Sequence, residues 1–172
     1  MALAVVFLDI MIHDLYLARY LVGSEVVEVF ANGVARIDWK IGQLGDVDTA
    51  VVVLTHLNGT FTTIDNCREA VYDYDQRIEV FGSHGMARSD NVPSHAGSVL
   101  TSEGTQGKPL TWTLLERYAL SYRKERQAFR RYLAVKGPSP AGANDALAAT
   151  RAALAAGESL RLGRPVLTAE VE

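Results

Sequence analysis

An aspartate and a histidine stand four residues apart in the apolar run FLDIMIHDLYLARYL, residues 7–21. On a helix, that spacing puts Asp9 and His13 on one face, with Cβ atoms about 6 Å apart. A carboxylate next to an imidazole fixes its orientation and favours its charged form, which suits a general acid/base pair. Tyr16, three residues further on, extends the same face. The spacing equally suits a plainer arrangement, with Asp9 as a helix-start cap and His13 as a satisfied core residue.

A second polar group is YDYDQR (72–77), where Tyr72, Tyr74 and Asp75 meet at a strand entrance. It suits either the lining of a polar substrate pocket or a solvated loop. His56 closes a strand beside a turn and is expected at the surface, and His84 and His95 lie in turn-like contexts. Cys67 is the only cysteine, so no internal disulfide forms, as suits a reducing cytoplasm. It is expected to be a buried, inert thiol. No GxGxxG, Walker loop, CxxC, HExxH or GxSxG occurs, so neither a phosphate cradle nor a zinc site is expected.

Positioning these groups requires a helix first, with Leu8, Ile12 and Leu15 at helical spacing and Gly23 as its stop. EVVEVFA (25–31) alternates, Asn32-Gly33 suggests a tight turn, and VARIDW (34–39) reads as a returning strand. VDTAVVVLTH (47–56) and TFTTIDN (60–66) flank Asn58-Gly59, the strongest hairpin signal in the chain. RIEVFGS (77–83) and MARSD (86–90) form another pair, and 91–110 reads as a long surface excursion. Residues 114–135 form an amphipathic helix, PSPAGA (138–143) a linker, and 144–163 an Ala-rich helix capped by Asn144 or Asp145.

That order predicts a single α+β domain over 1–172, an open, mainly antiparallel sheet with helices on one face. AVVVLT (50–55) is apolar at consecutive positions, so both sheet faces are expected to be covered, the far one by a second copy of the chain. With 172 residues, 48% apolar content and a net charge of −3, composition points to a globular protein, with no nucleic-acid partner expected. The basic residues at 117–132 are interleaved with glutamates, as on a solvated helix face. The apolar start MALAVVFL is short and lacks a basic flank, so neither a signal peptide nor a membrane span is expected, and the cytoplasm is the expected location.

The run 7–21 resembles the substrate-domain helix of the Gfo/Idh/MocA oxidoreductases, in particular inositol 2-dehydrogenases, whose motif reads D-x-x-x-H-[DE]-x-D. The likeness continues through GDVDTAVVVLTHLNGTFTTIDNCREAVYDYDQRIEVFGSHGM (45–86), LERYALSYRKERQAF (115–129) and SLRLGRPV (159–166). It implies the fold of that family's C-terminal domain, with Asp9 and His13 as the substrate-contacting, proton-handling pair. It also implies that the NAD-binding Rossmann domain, with its Glu-Lys-Pro lysine, lies outside these residues, as does the strand that opens the substrate domain. Tyr16 departs from the family's usual aspartate, which contacts a sugar or cyclitol hydroxyl.

Hydride transfer needs a nicotinamide held against the substrate carbon. The expected function is therefore a cofactor-independent enzyme, bringing about isomerisation, dehydration or cyclisation of a small molecule with no cofactor and no metal. Asp9 and His13 act as its acid/base groups, and Tyr16, Tyr72, Tyr74 and Asp75 bind substrate. Two alternatives stand beside it. One is a fragment or subunit of an inositol 2-dehydrogenase-type enzyme that takes NAD from a separate Rossmann chain. The other is a non-catalytic binding or structural module.

Overall fold

The computed structural model describes residues 5–91, 93, 95–107, 110, 113–135, 137, 139 and 141–171. The chain divides into two compact units, Met1–Glu69 with Ala141–Glu172, and Ala70–Pro140. The expected linker at 138–143 falls partly outside the described residues, at 138 and 140.

The first unit begins with two short helices in place of the single expected one, α1 (Val5–Asp9) and α2 (Ile12–Val22). The interruption has a definite cause. The Val6 carbonyl accepts from both Ile10 N (3.1 Å) and Met11 N (3.0 Å), so one turn is widened by a residue before the regular ladder resumes at Leu15 N→Met11 O. Gly23 ends α2 in the left-handed conformation at φ 66°, as its position in the sequence suggested.

Strand β1 (Val26–Val34) runs straight through Asn32-Gly33, where a turn was expected. Asn32 pairs with Val51 and Gly33 with Ala50 in the antiparallel ladder to β2 (Thr49–His56). Gly33 is required there by space: a Cβ would meet Thr49 O at 3.0 Å and Val47 Cγ2 at 3.1 Å. The expected strand 34–39 gives way to α3 (Trp39–Gln43), capped by Asp38, whose carboxylate accepts from Lys40 N at 2.9 Å. β2 continues over the Asn58-Gly59 turn, with Gly59 at φ 84°, into β3 (Phe61–Cys67).

The Ala-rich helix α5 (Ala143–Leu162) packs on this sheet, and β8 (Val166–Leu167) completes the order β3-β2-β1-β8. The cap of α5 differs from the expected one. Gly142 occupies the cap position, and Asp145, three residues in, accepts from Gly142 N at 2.7 Å. Asp145 also bridges Arg19 of α2 at 2.7 Å. Ala149, Ala152, Ala153, Ala155 and Ala156 are buried, and their small side chains let α5 lie close to the strands. Between helices and sheet sit Phe7, Met11, Leu15, Val29, Val52 and Leu54. Full burial of each large member contributes about 1.5–3 kcal/mol. The fold is thus α+β with an antiparallel sheet and helices against one face.

Strand alternation turns the other side chains of these strands to the opposite face. Phe30, Val34, Val51, Phe61 and Leu167 on it are all at least 40% exposed.

The second unit contains the hairpin β4 (Ile78–Gly82) to β5 (Gly85–Ser89) and the helix α4 (Leu114–Val135). The excursion expected at 91–110 carries a hairpin of its own, β6 (Ser98–Thr101) with β7 (Gly104–Gly107). No residue of α4 is buried, in keeping with the solvated face expected of its charges. Among the described residues, no helix is long and apolar enough to cross a membrane.

Candidate active site

Asp9 closes α1 and His13 opens the first turn of α2, so the widened turn at residues 10–11 lies between them. The two therefore do not sit on the regular i, i+4 ladder that their spacing suggests. Both side chains are exposed, and no hydrogen bond joins them among the described residues. Neither is the satisfied core residue or helix-start cap of the plainer reading, and both are accessible to a guest molecule.

The partner that structure supplies to Asp9 is one the sequence did not advertise. Arg68, just past the end of β3, places Nη1 3.6 Å from Asp9 Oδ2 and donates from Nη2 to Asp46 Oδ2 at 3.2 Å. The other oxygen of Asp46 accepts from Val6 N, in the first turn of α1, at 3.3 Å. Next door, Asn66 Nδ2 donates to Asp14 Oδ2 at 3.1 Å. Asn66 Oδ1 and Arg68 Nε are buried, with no hydrogen-bond partner among the described residues. No spacing rule links positions 9, 46, 66 and 68, because the β3 register and the loop before β2 bring them together.

Tyr16 is half-buried and stacks on Tyr20, with ring centroids 6.4 Å apart and planes inclined by 13°. It lies on α2 in the first unit, with Asp9 and His13. Tyr72, Tyr74 and Asp75 belong to the second unit. There Asp75 accepts from the Tyr72 hydroxyl at 2.6 Å, from Arg77 Nε and Nη2, both at 2.9 Å, and from Asn91 Nδ2. Burial pushes its carboxyl up, yet Arg77, Tyr72 and Asn91 together hold it at about 2. Asp75 is thus a fixed carboxylate that orients Tyr72. Tyr74 meets the Tyr118 ring edge to face at 5.8 Å, and the Tyr118 hydroxyl bonds Gln76.

Two sequence expectations about single residues are corrected. His56 is buried, with Nδ1 3.2 Å from Ser24 O and Nε2 2.9 Å from Thr62 Oγ1. Cys67 is exposed rather than buried. A groove of about 250 Å³ on the first unit is lined by Leu15, Arg19, Val26, Arg151 and Thr168, among others, and by neither Asp9 nor His13.

Among the described residues the strands pair antiparallel, and none is joined to a helix by a glycine-rich turn of the kind that cradles a pyrophosphate.

Residues 4–88 match the GFO/IDH/MocA C-terminal domain family. Over 166 residues the chain is 44% identical to myo-inositol 2-dehydrogenase of Thermotoga maritima, covering 96% of this chain and 50% of that protein. The crystal structure of a probable dehydrogenase from Thermotoga maritima superposes with a TM-score of 0.94 at 44% identity, over 97% of this chain and 50% of that one. Scyllo-inositol dehydrogenase from Lactobacillus casei, solved with NAD(H) and scyllo-inositol, superposes at 0.87 with 29% identity, over 95% and 48%. The chain spans about half the length of the curated relatives it matches. These relatives are dehydrogenases, and they lend no support to a cofactor-independent isomerase, dehydratase or cyclase. On sequence and fold together, the chain belongs to the Gfo/Idh/MocA oxidoreductase family, whose C-terminal domain it matches.

Proposed function

We propose that this chain is the substrate-binding half of an inositol 2-dehydrogenase-type oxidoreductase, which holds a cyclitol while a dinucleotide-binding half accepts the hydride. The observation that carries this is the 44% identity to a myo-inositol 2-dehydrogenase over nearly the whole chain, with both members of the acid/base pair exposed. Oxidising a ring carbinol to a ketone releases a hydride from carbon and a proton from oxygen. His13 suits the proton, taken at the hydroxyl oxygen, and Asp9 suits a hydrogen bond from that hydroxyl or its neighbour. No hydride step is assigned to these residues. Tyr16, on the same unit, shapes that site; within the second unit Tyr72, held in place by Asp75, and Tyr74 offer substrate-binding groups of their own.

The test is binding of myo-inositol to the 172-residue chain, followed by saturation-transfer NMR. Wild type is expected to show transfer, and His13→Gln and Asp9→Asn to lose it while keeping the fold. A wild-type chain that shows no transfer at millimolar inositol sinks the reading.

The bare sheet face supports a second element of the proposal, a homo-oligomer packed face to face through β1, β2 and β3. Its apolar residues lie on neighbouring strands, Phe30 opposite Val53 and Phe61 opposite Thr55. Exposed large apolar side chains spread over three paired strands, with Asn32 and Asp65 between them, suit a contact surface.

A further inference from the structure

We infer that Arg68 and Asp46 are positioning residues for Asp9, forming a clamp that joins Val6 and Asp9 of α1 and so sets the direction of the Asp9 carboxylate. This deepens the reading of Asp9 as a substrate-contacting group and rests on it. Among the described residues helix α1 spans Val5–Asp9, and the widened turn interrupts its ladder immediately after Asp9, so the regular hydrogen bonds do not carry on past that residue. Asp46 accepts from Val6 N, Arg68 reaches Asp9, the last residue of α1, and the two clamp residues are bonded to each other. The clamp is itself anchored. The Asp46 side chain is 10% exposed, that of Arg68 is 25% exposed, and Arg68 N donates to Asp48 O at 2.8 Å.

The outer contact is a loose one, since 3.6 Å is an ion pair without a good hydrogen bond and the Asp9 side chain is 63% exposed. Such pairs add little to stability. The consequence is therefore geometric: a planar guanidinium fixed on one side by Asp46 presents its other donor in one direction. Misdirecting a reacting carboxylate by a fraction of an ångström is costly to a site that works by orientation.

The test uses the full 172-residue chain with Arg68→Ala and Asp46→Asn, and reads two quantities. The first is the set of Asp9 Hα–Hβ NMR couplings, which report its χ1 rotamer. The second is the affinity for myo-inositol. Wild type is expected to hold Asp9 in one rotamer. Both variants are expected to average it and to weaken inositol binding about tenfold, and millimolar guanidinium is expected to restore part of the binding to Arg68→Ala. If Arg68→Ala does not fold, Asp46→Asn carries the test alone. Couplings already averaged in wild type, or unchanged in the variants, overturn the clamp. Absence of inositol binding in wild type, with couplings that collapse in the variants, overturns the substrate reading and leaves the clamp standing.

Discussion

The imidazole of His56 lies 2.9 Å from the Thr62 hydroxyl, reaching from the end of β2 to the start of β3 beneath the turn that joins them. Its other nitrogen meets the Ser24 carbonyl, in the segment that leads into β1. One buried side chain thus ties the hairpin to the strand on its far side. His56→Leu stays close to the imidazole in volume and removes both bonds, leaving the Thr62 hydroxyl and the Ser24 carbonyl without their partner. A loss of about 1–3 kcal/mol is expected in urea unfolding. An unchanged midpoint shows that solvent replaces the imidazole at no cost.

The burial of His56 was legible in the sequence and was misjudged from its position beside a turn. Ala50, Val52, Leu54 and His56 share one side of β2, and the first three are plainly core residues, so period-two alternation already placed the fourth inward. Gly33 misled in the opposite way. Asn-Gly chemistry signals a turn, but here β2 passes so close that a side chain would strike its backbone, a fact of tertiary packing that no local pattern carries. The candidate site shows the same division. Asp9 and His13 were legible as residues, whereas Arg68 reaches Asp9, and Asp46 reaches Arg68, only once β3 has paired in register with β2.

Ser159 secures the edge of the sheet. Its hydroxyl accepts from Ala31 N at 2.9 Å, beyond the short span that β8 covers, and donates to Arg164 O at 2.6 Å. Ser159→Ala leaves a buried strand amide unsatisfied, for an expected cost of about 1–3 kcal/mol. Hydrogen exchange separates this from a general loss of stability, because the Ala31 amide is expected to lose protection more than its neighbours on β1.

Acid is expected to weaken both units through one carboxylate each. Burial pushes Asp48 up, but N–H groups of Arg36, Ile37 and Asp38 and the Thr49 hydroxyl hold it at about 2, as Arg77, Tyr72 and Asn91 hold Asp75. Both folded values lie below the ordinary 3.8, so between these limits the unfolded chain binds more protons than the folded one. The stabilisation is complete above about pH 4 and drains away as pH falls from 3.8 towards 2. Thermal midpoints taken across that window are expected to fall with pH in wild type. Asp48→Asn is expected to start lower and to fall less steeply, and parallel curves count against Asp48 as a source.

Tyr16 stands where the resemblance calls for an aspartate that contacts a cyclitol hydroxyl. A phenol provides a weaker acceptor than a carboxylate, and its ring is committed to stacking on Tyr20. If a polyol occupies the site beside His13, Tyr16→Asp adds a charge-assisted bond and tightens inositol binding by about five- to tenfold, at a modest cost in stability from the lost stack. Calorimetric titration of both proteins decides this. Weaker binding by the variant points to a ligand that uses the aromatic ring, and so to a less polar substrate.

The bare sheet face makes a prediction about assembly. Val51 is 49% exposed at the centre of β2, flanked by Asn32 on one side and Asp65 on the other, with Phe30 and Phe61 on the adjoining strands. A stable face-to-face contact buries about 800 Å² on each copy. Val51→Lys puts a charge at the centre of that contact in both copies at once, because a two-fold interface repeats every substitution. Light scattering on the eluting peak is expected to give an oligomer for wild type and a monomer for Val51→Lys, with circular dichroism unchanged. A wild-type chain that elutes as a monomer at micromolar concentration removes the face-to-face assembly from the proposal.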